Sequence, residues 1–422
     1  MPVLNIRTTA ECLQAKREPV DQATLASAAV IVADVRRRGA MALREHAERY
    51  GDIKPGEPLV HDRAALLAAL DKCPRGERQL LEHAANRIRT FAQAQRACIR
   101  ELQTTVAGGE AGHWIAPVAS AGCYAPGGRF PLPSSVLMTA VTARIAGVRN
   151  LIVASPRPAN IVLAAAAIAD ADALLAVGGA QAVAALAYGA APFVTDVDLI
   201  VGPGNRWVTA AKHLVAGVVG IDMLAGPSEI LIIADGDADP GLIAADLLAQ
   251  AEHDADASVV LVTDNAPLIS AVNQRLDEQL ITLPTRETAL AALRNSFAVC
   301  VADTEAAVAI ADLVAPEHLV IMVGDANAST DVARKCANYG AVFIGAMSDQ
   351  VLGDYAAGPN HVLPTGGGSR FGGGLSVFTF LRVRTFLRMN GPSAAASALR
   401  SEAAQLARLE GLEGHARAIE AR

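Results

Sequence analysis

Gln250 and His253 stand three residues apart in the run Asp246-Leu-Leu-Ala-Gln250-Ala-Glu-His253. That spacing puts two side chains on one face of a helix, where an amide oxygen and an imidazole can converge on one cation. Glu317 and His318 follow Pro316 directly and set a carboxylate beside an imidazole. Because imidazole titrates near neutral pH, such a pair suits proton transfer. Asp354 and His361 come next, in Gly353-Asp-Tyr-Ala-Ala-Gly-Pro-Asn-His361, and His415 lies near the C-terminus. His and Asp are good zinc ligands and an amide oxygen is a rarer one, so these are the parts of a metal centre with acid–base groups beside it. Each has a plainer reading alone. A single helical His is more often a surface or core residue, and Glu-His on a turn is often only solvated. The residues by themselves leave open whether Gln250, His253, Asp354 and His415 meet.

Two glycine turns, Gly178-Gly-Ala-Gln181 and Gly202-Pro-Gly-Asn205, each follow a strand-like run and open a helical one. Backbone N–H groups at a helix N-terminus attract anions, including a dinucleotide pyrophosphate. Neither turn is G-x-G-x-x-G, so the usual dinucleotide fingerprint is absent, and α/β loops use glycine for turning in any case. The stretch Gly122-Cys-Tyr124-Ala-Pro-Gly-Gly-Arg129-Phe-Pro-Leu-Pro-Ser134-Ser135 is a rigid loop by composition. Its Tyr124 could stack on a nicotinamide or adenine ring, or be a half-buried turn tyrosine.

These residues need a frame to hold them. From 22 to 105 the pattern is helical and amphipathic, and near 107–112 the composition turns to loop. Short apolar runs then alternate with Ala-rich helical ones. The strand-like runs are 150–155, 173–177, 197–201, 229–235, 258–263, 297–301, 318–323 and 341–345; helices are expected at 160–169, 181–188, 206–216 and 240–252. Such alternation predicts parallel sheets covered by helices, in two α/β domains. Past Gly374 the pattern is read as helical to Arg422.

Composition narrows the class. With 422 residues, two or more domains are expected. Apolar residues make up 52% and charged ones 19%, which fits a globular chain. A net charge of −7 without a basic stripe argues against nucleic acid as partner. The six cysteines form no C-x-x-C, so neither a disulfide framework nor a thiolate zinc site is expected. The apolar run 161–169 is far short of the roughly 20 residues a membrane helix needs. With no secretory signal read at the N-terminus, a cytoplasmic protein is expected.

At this point the ordered motifs resemble the histidinol dehydrogenase family. They are Tyr124-Ala-Pro-Gly-Gly, Pro133-Ser-Ser-Val-Leu-Met, Gly179-Ala-Gln181-Ala, Gly202-Pro-Gly-Asn205, Val219-Gly-Ile-Asp-Met-Leu-Ala-Gly-Pro-Ser228-Glu, Gln250-Ala-Glu-His253, Pro316-Glu-His318, Gly353-Asp354-Tyr, Asn360-His361-Val-Leu-Pro-Thr and Glu410-Gly-Leu-Glu-Gly-His415. The likeness runs from about residue 25 to the C-terminus. It implies zinc- and NAD-dependent four-electron oxidation of L-histidinol through L-histidinal to L-histidine, the last step of histidine biosynthesis.

Residue by residue, the resemblance implies that Gln250, His253, Asp354 and His415 bind one Zn2+ per subunit. Glu317 and His318 would be the proton acceptors, and Tyr124, Gln181 and Asn205 would touch NAD+. Ser228, His361 and Glu410 would contact the small-molecule substrate together with His318 and the metal ligands. A homodimer is implied in which Glu410 and His415 of one chain complete the other chain's site. The expected fold is two Rossmann-like parallel-sheet domains without the G-x-G-x-x-G fingerprint, plus small helical N- and C-terminal segments. The expected division is 1–21 as N-terminal segment, 22–118 with 234–373 as a metal and base domain, 119–233 as an NAD domain, and 374–422 as a helical segment that completes the partner's site.

The chain departs from the family pattern in four places: Phe91-Ala-Gln-Ala-Gln95 lacks a helical His, Cys123 replaces an aliphatic residue, Pro359 precedes Asn360-His361, and 366–374 is glycine-rich. No expected ligand or base is lost. Two other readings stand beside this one. A relative could oxidise another polar alcohol, such as a sulfonated diol, though Ser134-Ser135, Ser228, His361 and Glu410 favour histidinol. A non-catalytic α/β protein that only holds metal or ligand would have no need of Glu317 and His318.

Overall fold

The structure is a computed structural model that describes residues 4–8, 11, 20–127, 131–355 and 357–422. Most of the expected N-terminal segment, Cys12 and the Gly128–Phe130 part of the Tyr124 loop lie outside the described residues. The first sheet is built from β1 (Asn5–Ile6) and five strands of the second half of the chain, and a second sheet is built from β2 (Val60–Asp62) and five strands between 120 and 221.

Between β1 and β2 come α1 (Gln22–Arg38) and α2 (Ala40–Arg49), and after β2 come α3 (Arg63–Asp71), α4 (Arg75–Cys98) and a hairpin of β3 (Leu102–Val106) and β4 (Gly109–Pro117). Next are β5 (Ser120–Tyr124), α5 (Pro133–Ala146), β6 (Asn150–Ala154), α6 (Asn160–Ile168), β7 (Ala173–Leu175), α7 (Gly179–Tyr188), β8 (Leu199–Val201), α8 (Arg206–Val215) and β9 (Gly220–Ile221). The order in this sheet is β2-β7-β6-β5-β8-β9, parallel except for β2, which runs antiparallel to β7.

The chain then forms β10 (Glu229–Ala234), α9 (Pro240–Ala251), β11 (Ser258–Thr263), α10 (Ala266–Leu280), α11 (Arg286–Leu293), β12 (Phe297–Cys300), α12 (Thr304–Val314), β13 (His318–Met322), α13 (Ala326–Lys335), β14 (Ala341–Ile344) and α14 (Gln350–Tyr355). These strands give the all-parallel order β1-β12-β11-β10-β13-β14. Its inner strands are unbroken apolar runs because both faces are covered. Ile230 and Ile232 of β10 pack on the side of α9, α10 and α11, whereas Leu231 and Ile233 pack on the side of α12 and α13. That is the period-two alternation of a strand buried on both faces. The α/β architecture with two largely parallel sheets is as expected.

Three expectations on the frame need correction. Residues 22–98 do not join the 234–373 unit. Val32, Val35, Leu43, Leu66, Leu81 and Ile88 share one core with residues 118–219, and β2 pairs within that second sheet. The loop near 107–112 is a β-hairpin turn leading into β4. The segment after 374 is not wholly helical: Leu381–Met389 forms β15, antiparallel to β4. Its Arg382, Arg384 and Arg388 alternate with Val383 and Leu387, a strand period. Only then come α15 (Ala394–Leu409) and α16 (Glu413–Glu420), which pack on each other through Ala404, Ala407 and Ala416. Cys73, Cys98, Cys123, Cys300 and Cys336 are free thiols. Among the described residues, no helix is long and apolar enough to cross a membrane.

Candidate active site

The acid–base pair sits where β10 and β13 begin side by side, with Ile230 in register with His318. Both Glu317 and His318 are buried. His318 Nδ1 lies 3.1 Å from the carbonyl oxygen of Glu229, so the Nδ1–H donates there and Nε2 is left to face the site. Among the described residues His318 Nε2 has no hydrogen-bond partner, and it stands 3.7 Å from Asp354 Oδ1. Glu317 Oε2 accepts from the Glu229 N–H at 2.9 Å and lies 3.6 Å from His318 Nδ1.

Burial drives the Glu317 carboxyl well above the usual carboxylate range, and the His318 charge offsets only part of that rise. For His318, burial opposes the imidazolium, but Glu317 and Asp354 outweigh it and raise the imidazole above its ordinary value. The two groups are thus a coupled pair, each one's protonation set in part by the other. Glu229, not singled out from sequence, is also buried, and its carboxylate accepts from the Gly366 N–H at 3.2 Å. Ser228 precedes it, half-buried, and accepts the Ser258 N–H through its carbonyl.

The candidate ligands fall into two groups. Gln250 near the end of α9 is 1% exposed, and neither its Oε1 nor its Nε2 has a partner. Leaving both atoms of a buried amide unmade costs about 1–3 kcal/mol for each, so the position fits a further ligand. Asp354 on α14 is buried, and its carbonyl accepts the His361 Nδ1–H at 2.8 Å. Burial lowers the His361 pKa; Asp354 opposes that, while His318 and His253 add to it. His253 therefore lies within electrostatic reach of this group, although its own side chain is exposed. Glu410 and His415 belong to the α15–α16 hairpin and are exposed. Among the described residues, no three His, Cys, Asp or Glu side chains converge as a metal cluster. An amide oxygen, a carboxylate and imidazole nitrogens are nonetheless a donor set that suits zinc, and the unpartnered Gln250 fits that ion.

The second group of expected residues gathers at the C-terminal ends of β5 and β8. From β5 the chain proceeds outward through β6 and β7, and from β8 outward the other way to β9. The crevice between β5 and β8 is thus a topological switch point, where open α/β sheets bind ligands. Tyr124 ends β5 and is buried, and its hydroxyl accepts the Gly179 N–H at 3.1 Å. Gln181 is buried too, and its Nε2 donates to Asp52 Oδ2 at 2.9 Å. The same carboxylate oxygen accepts the Gly178 N–H at 3.0 Å, so Asp52 brackets the turn that opens α7; it was not legible as a site residue. Asn205 caps α8, accepting from the Trp207 and Val208 N–H groups, and is exposed.

Gly202 has φ +116 and lies against the Tyr124 carbonyl, where any Cβ would collide. A buried ion pair braces this turn from behind. Lys212 pairs with Asp222 and donates to the Gly202 carbonyl at 3.1 Å, while Asp222 accepts the Gly202 N–H at 2.7 Å. Lys212→Met should destabilise the chain by about 3–5 kcal/mol in urea unfolding, because it strands a buried carboxylate. A loss under about 1 kcal/mol would mean that backbone N–H groups alone hold Asp222.

One segment joins the two groups. Asn360 Nδ2 donates to the Met138 carbonyl at 2.8 Å and to Thr142 at 3.2 Å, both on α5, while the adjacent His361 rests on Asp354.

A family model described as histidinol dehydrogenase matches residues 14–422. The chain is 46% identical over 398 residues to a histidinol dehydrogenase of Cereibacter sphaeroides, covering 93% of this chain and 90% of that protein. It is 46% identical over 396 residues to one from Thermus thermophilus, covering 93% of each. The crystal structure of histidinol dehydrogenase from Elizabethkingia anophelis superposes with a TM-score of 0.91 at 29% identity, over 100% of this chain and 98% of that one.

Proposed function

The chain belongs to the histidinol dehydrogenase family, and on that premise we propose that it oxidises L-histidinol through L-histidinal to L-histidine with zinc and NAD+. It is an oxidoreductase of histidine biosynthesis. The observation that carries the finer reading is the buried Glu317–His318 pair, with His318 Nε2 unpartnered and beside Asp354.

In this reading Gln250, His253 and Asp354, with His415 of the partner subunit, hold one zinc ion per subunit. When bound, the zinc orients and polarises the substrate, and NAD+ supplies a two-electron acceptor that is used twice. His318 Nε2 takes the hydroxyl proton as the carbinol hydrogen leaves as hydride. Glu317 then takes a proton from the water that adds to the aldehyde, with His318 assisting, and the hydrate gives up the second hydride. One alcohol, one water and two NAD+ become one carboxylate, two NADH and three protons. Ser228, His361 and Glu410 contact the substrate; Tyr124, Gln181 and Asn205 touch the cofactor.

The α15–α16 hairpin supports a homodimer with shared sites. Its own core is little more than three alanines, while Leu406, Leu409 and Leu412 stay exposed, as do Val383 and Leu387 on β15. An apolar surface of this kind fits a second copy. The protein is expected in the cytoplasm.

NADH released per L-histidinol, with NAD+ in excess, tests the reaction. Two NADH per substrate, abolished by chelation and restored by zinc, is the expected result. A folded, zinc-restored protein that leaves L-histidinol untouched would transfer the assignment to another polar alcohol.

A further inference from the structure

Besides His318 Nε2, three buried polar side chains have no hydrogen-bond partner among the described residues: Asp246 at Oδ2, and Gln250 and Gln350 at both amide atoms. Only Gln250 belongs to the ligand set above. The others follow one pattern. Asp246 lies one turn before Gln250 on α9, and Gln350 lies one turn before Asp354 on α14. Residues four apart share a helix face. Asp246 is 8% exposed and Gln350 is 0% exposed, so bulk solvent does not reach these atoms. Burial, and after it the charge of Asp349 just before α14, holds the Asp246 carboxyl above its ordinary value. Asp349 itself is committed to accepting the Leu352 N–H.

An amide ligand carries an ambiguity that an imidazole or carboxylate does not. Its oxygen can bind a cation and its NH2 cannot, and the two ends have nearly the same shape. An acceptor on the NH2 side fixes which end faces the metal, as outer partners fix the orientation of other ligands. A donor beside an aspartate does the same for the carboxylate.

We propose that Asp246 and Gln350 are positioning residues of the metal centre: Asp246 accepts from the Gln250 amide so that its oxygen faces the cation, and Gln350 donates to the Asp354 carboxylate. This rests on the reading of Gln250 and Asp354 as zinc ligands. With the cation held, these groups would form one network.

The test measures zinc affinity of the full-length apoprotein by competition with a chromophoric chelator, beside its melting temperature without metal. Asp246→Ala should weaken zinc binding by about 10–100-fold and Gln350→Ala by about 10-fold. The Asp246→Ala apoprotein should melt at or above the wild-type temperature, because an unsatisfied buried carboxylate is gone. Asp246→Asn still accepts and should bind within a few-fold of wild type. In a Gln250→Ala background, Asp246→Ala should weaken binding no further. If Asp246→Ala does not fold, Asp246→Leu, which fills the space and cannot accept, takes its place.

Zinc affinity within twofold of wild type in the folded Asp246 variant overturns the proposal. So does an equal loss with and without Gln250, since Asp246 would not then act through that amide. A wild-type apoprotein that binds no zinc overturns the metal reading itself, an outcome distinct from both.

Discussion

Glu317→Gln should slow oxidation of L-histidinal by about 10²–10³-fold and oxidation of L-histidinol to the aldehyde far less. The substitution keeps the shape of the side chain and an oxygen to accept the Glu229 N–H, so the fold around it persists. In the proposed mechanism it removes the base that activates water, which only the second step needs. His318→Gln should impair both steps, by about 10²–10⁴-fold, because the first proton also goes to Nε2. The pH profile follows with a definite sign. Burial raises the Glu317 pKa, so in wild type the ionised base appears, and the aldehyde step accelerates, only as pH rises towards neutrality rather than near the usual carboxylate range. Glu317→Gln should remove that ascending limb. Assays begun separately from L-histidinol and L-histidinal decide the matter; equal losses in both would end this division of labour.

Mixing two inactive variants should restore activity. A His318→Gln chain lacks the proposed base on the α/β body, and a His415→Asn chain lacks a proposed ligand on the C-terminal hairpin. In a hybrid dimer with shared sites, one site collects both lesions and the other collects neither. Dissociated and reassociated at equal amounts, half the dimers are hybrids, so activity should recover to roughly a quarter of wild type from near zero. If each site were built from a single chain, the mixture would stay as inactive as its components. The exposed positions of Glu410 and His415, on a hairpin with so small a core of its own, are why recovery is expected.

The α/β alternation was legible because strands buried on both faces read as unbroken apolar runs, as in Ile230–Ala234 and Leu319–Met322. The placement of residues 22–98 was not, because an amphipathic helix says that it covers a sheet without saying which one. β15 escaped because its arginines fall on the exposed face of an edge strand, and charge there resembles a solvated helix. In the site, Gln250, His253, Glu317 and His318 stood out by spacing. Glu229, Asp246 and Gln350 did not: a single polar residue in an apolar run declares itself only once its burial is known. Asp52 acts on a turn 126 residues away, which no local pattern reveals.

The first two N–H groups at the start of α7 are already engaged, Gly178 by the Asp52 carboxylate and Gly179 by the Tyr124 hydroxyl. A dinucleotide docking at this crevice, as proposed, would find two N–H groups of that helix end already taken. In the proposed two-step reaction, which would change carriers midway with a half-oxidised substrate still in place, quick departure of the spent carrier would be an advantage. The occupied helix end favours exchange over residence.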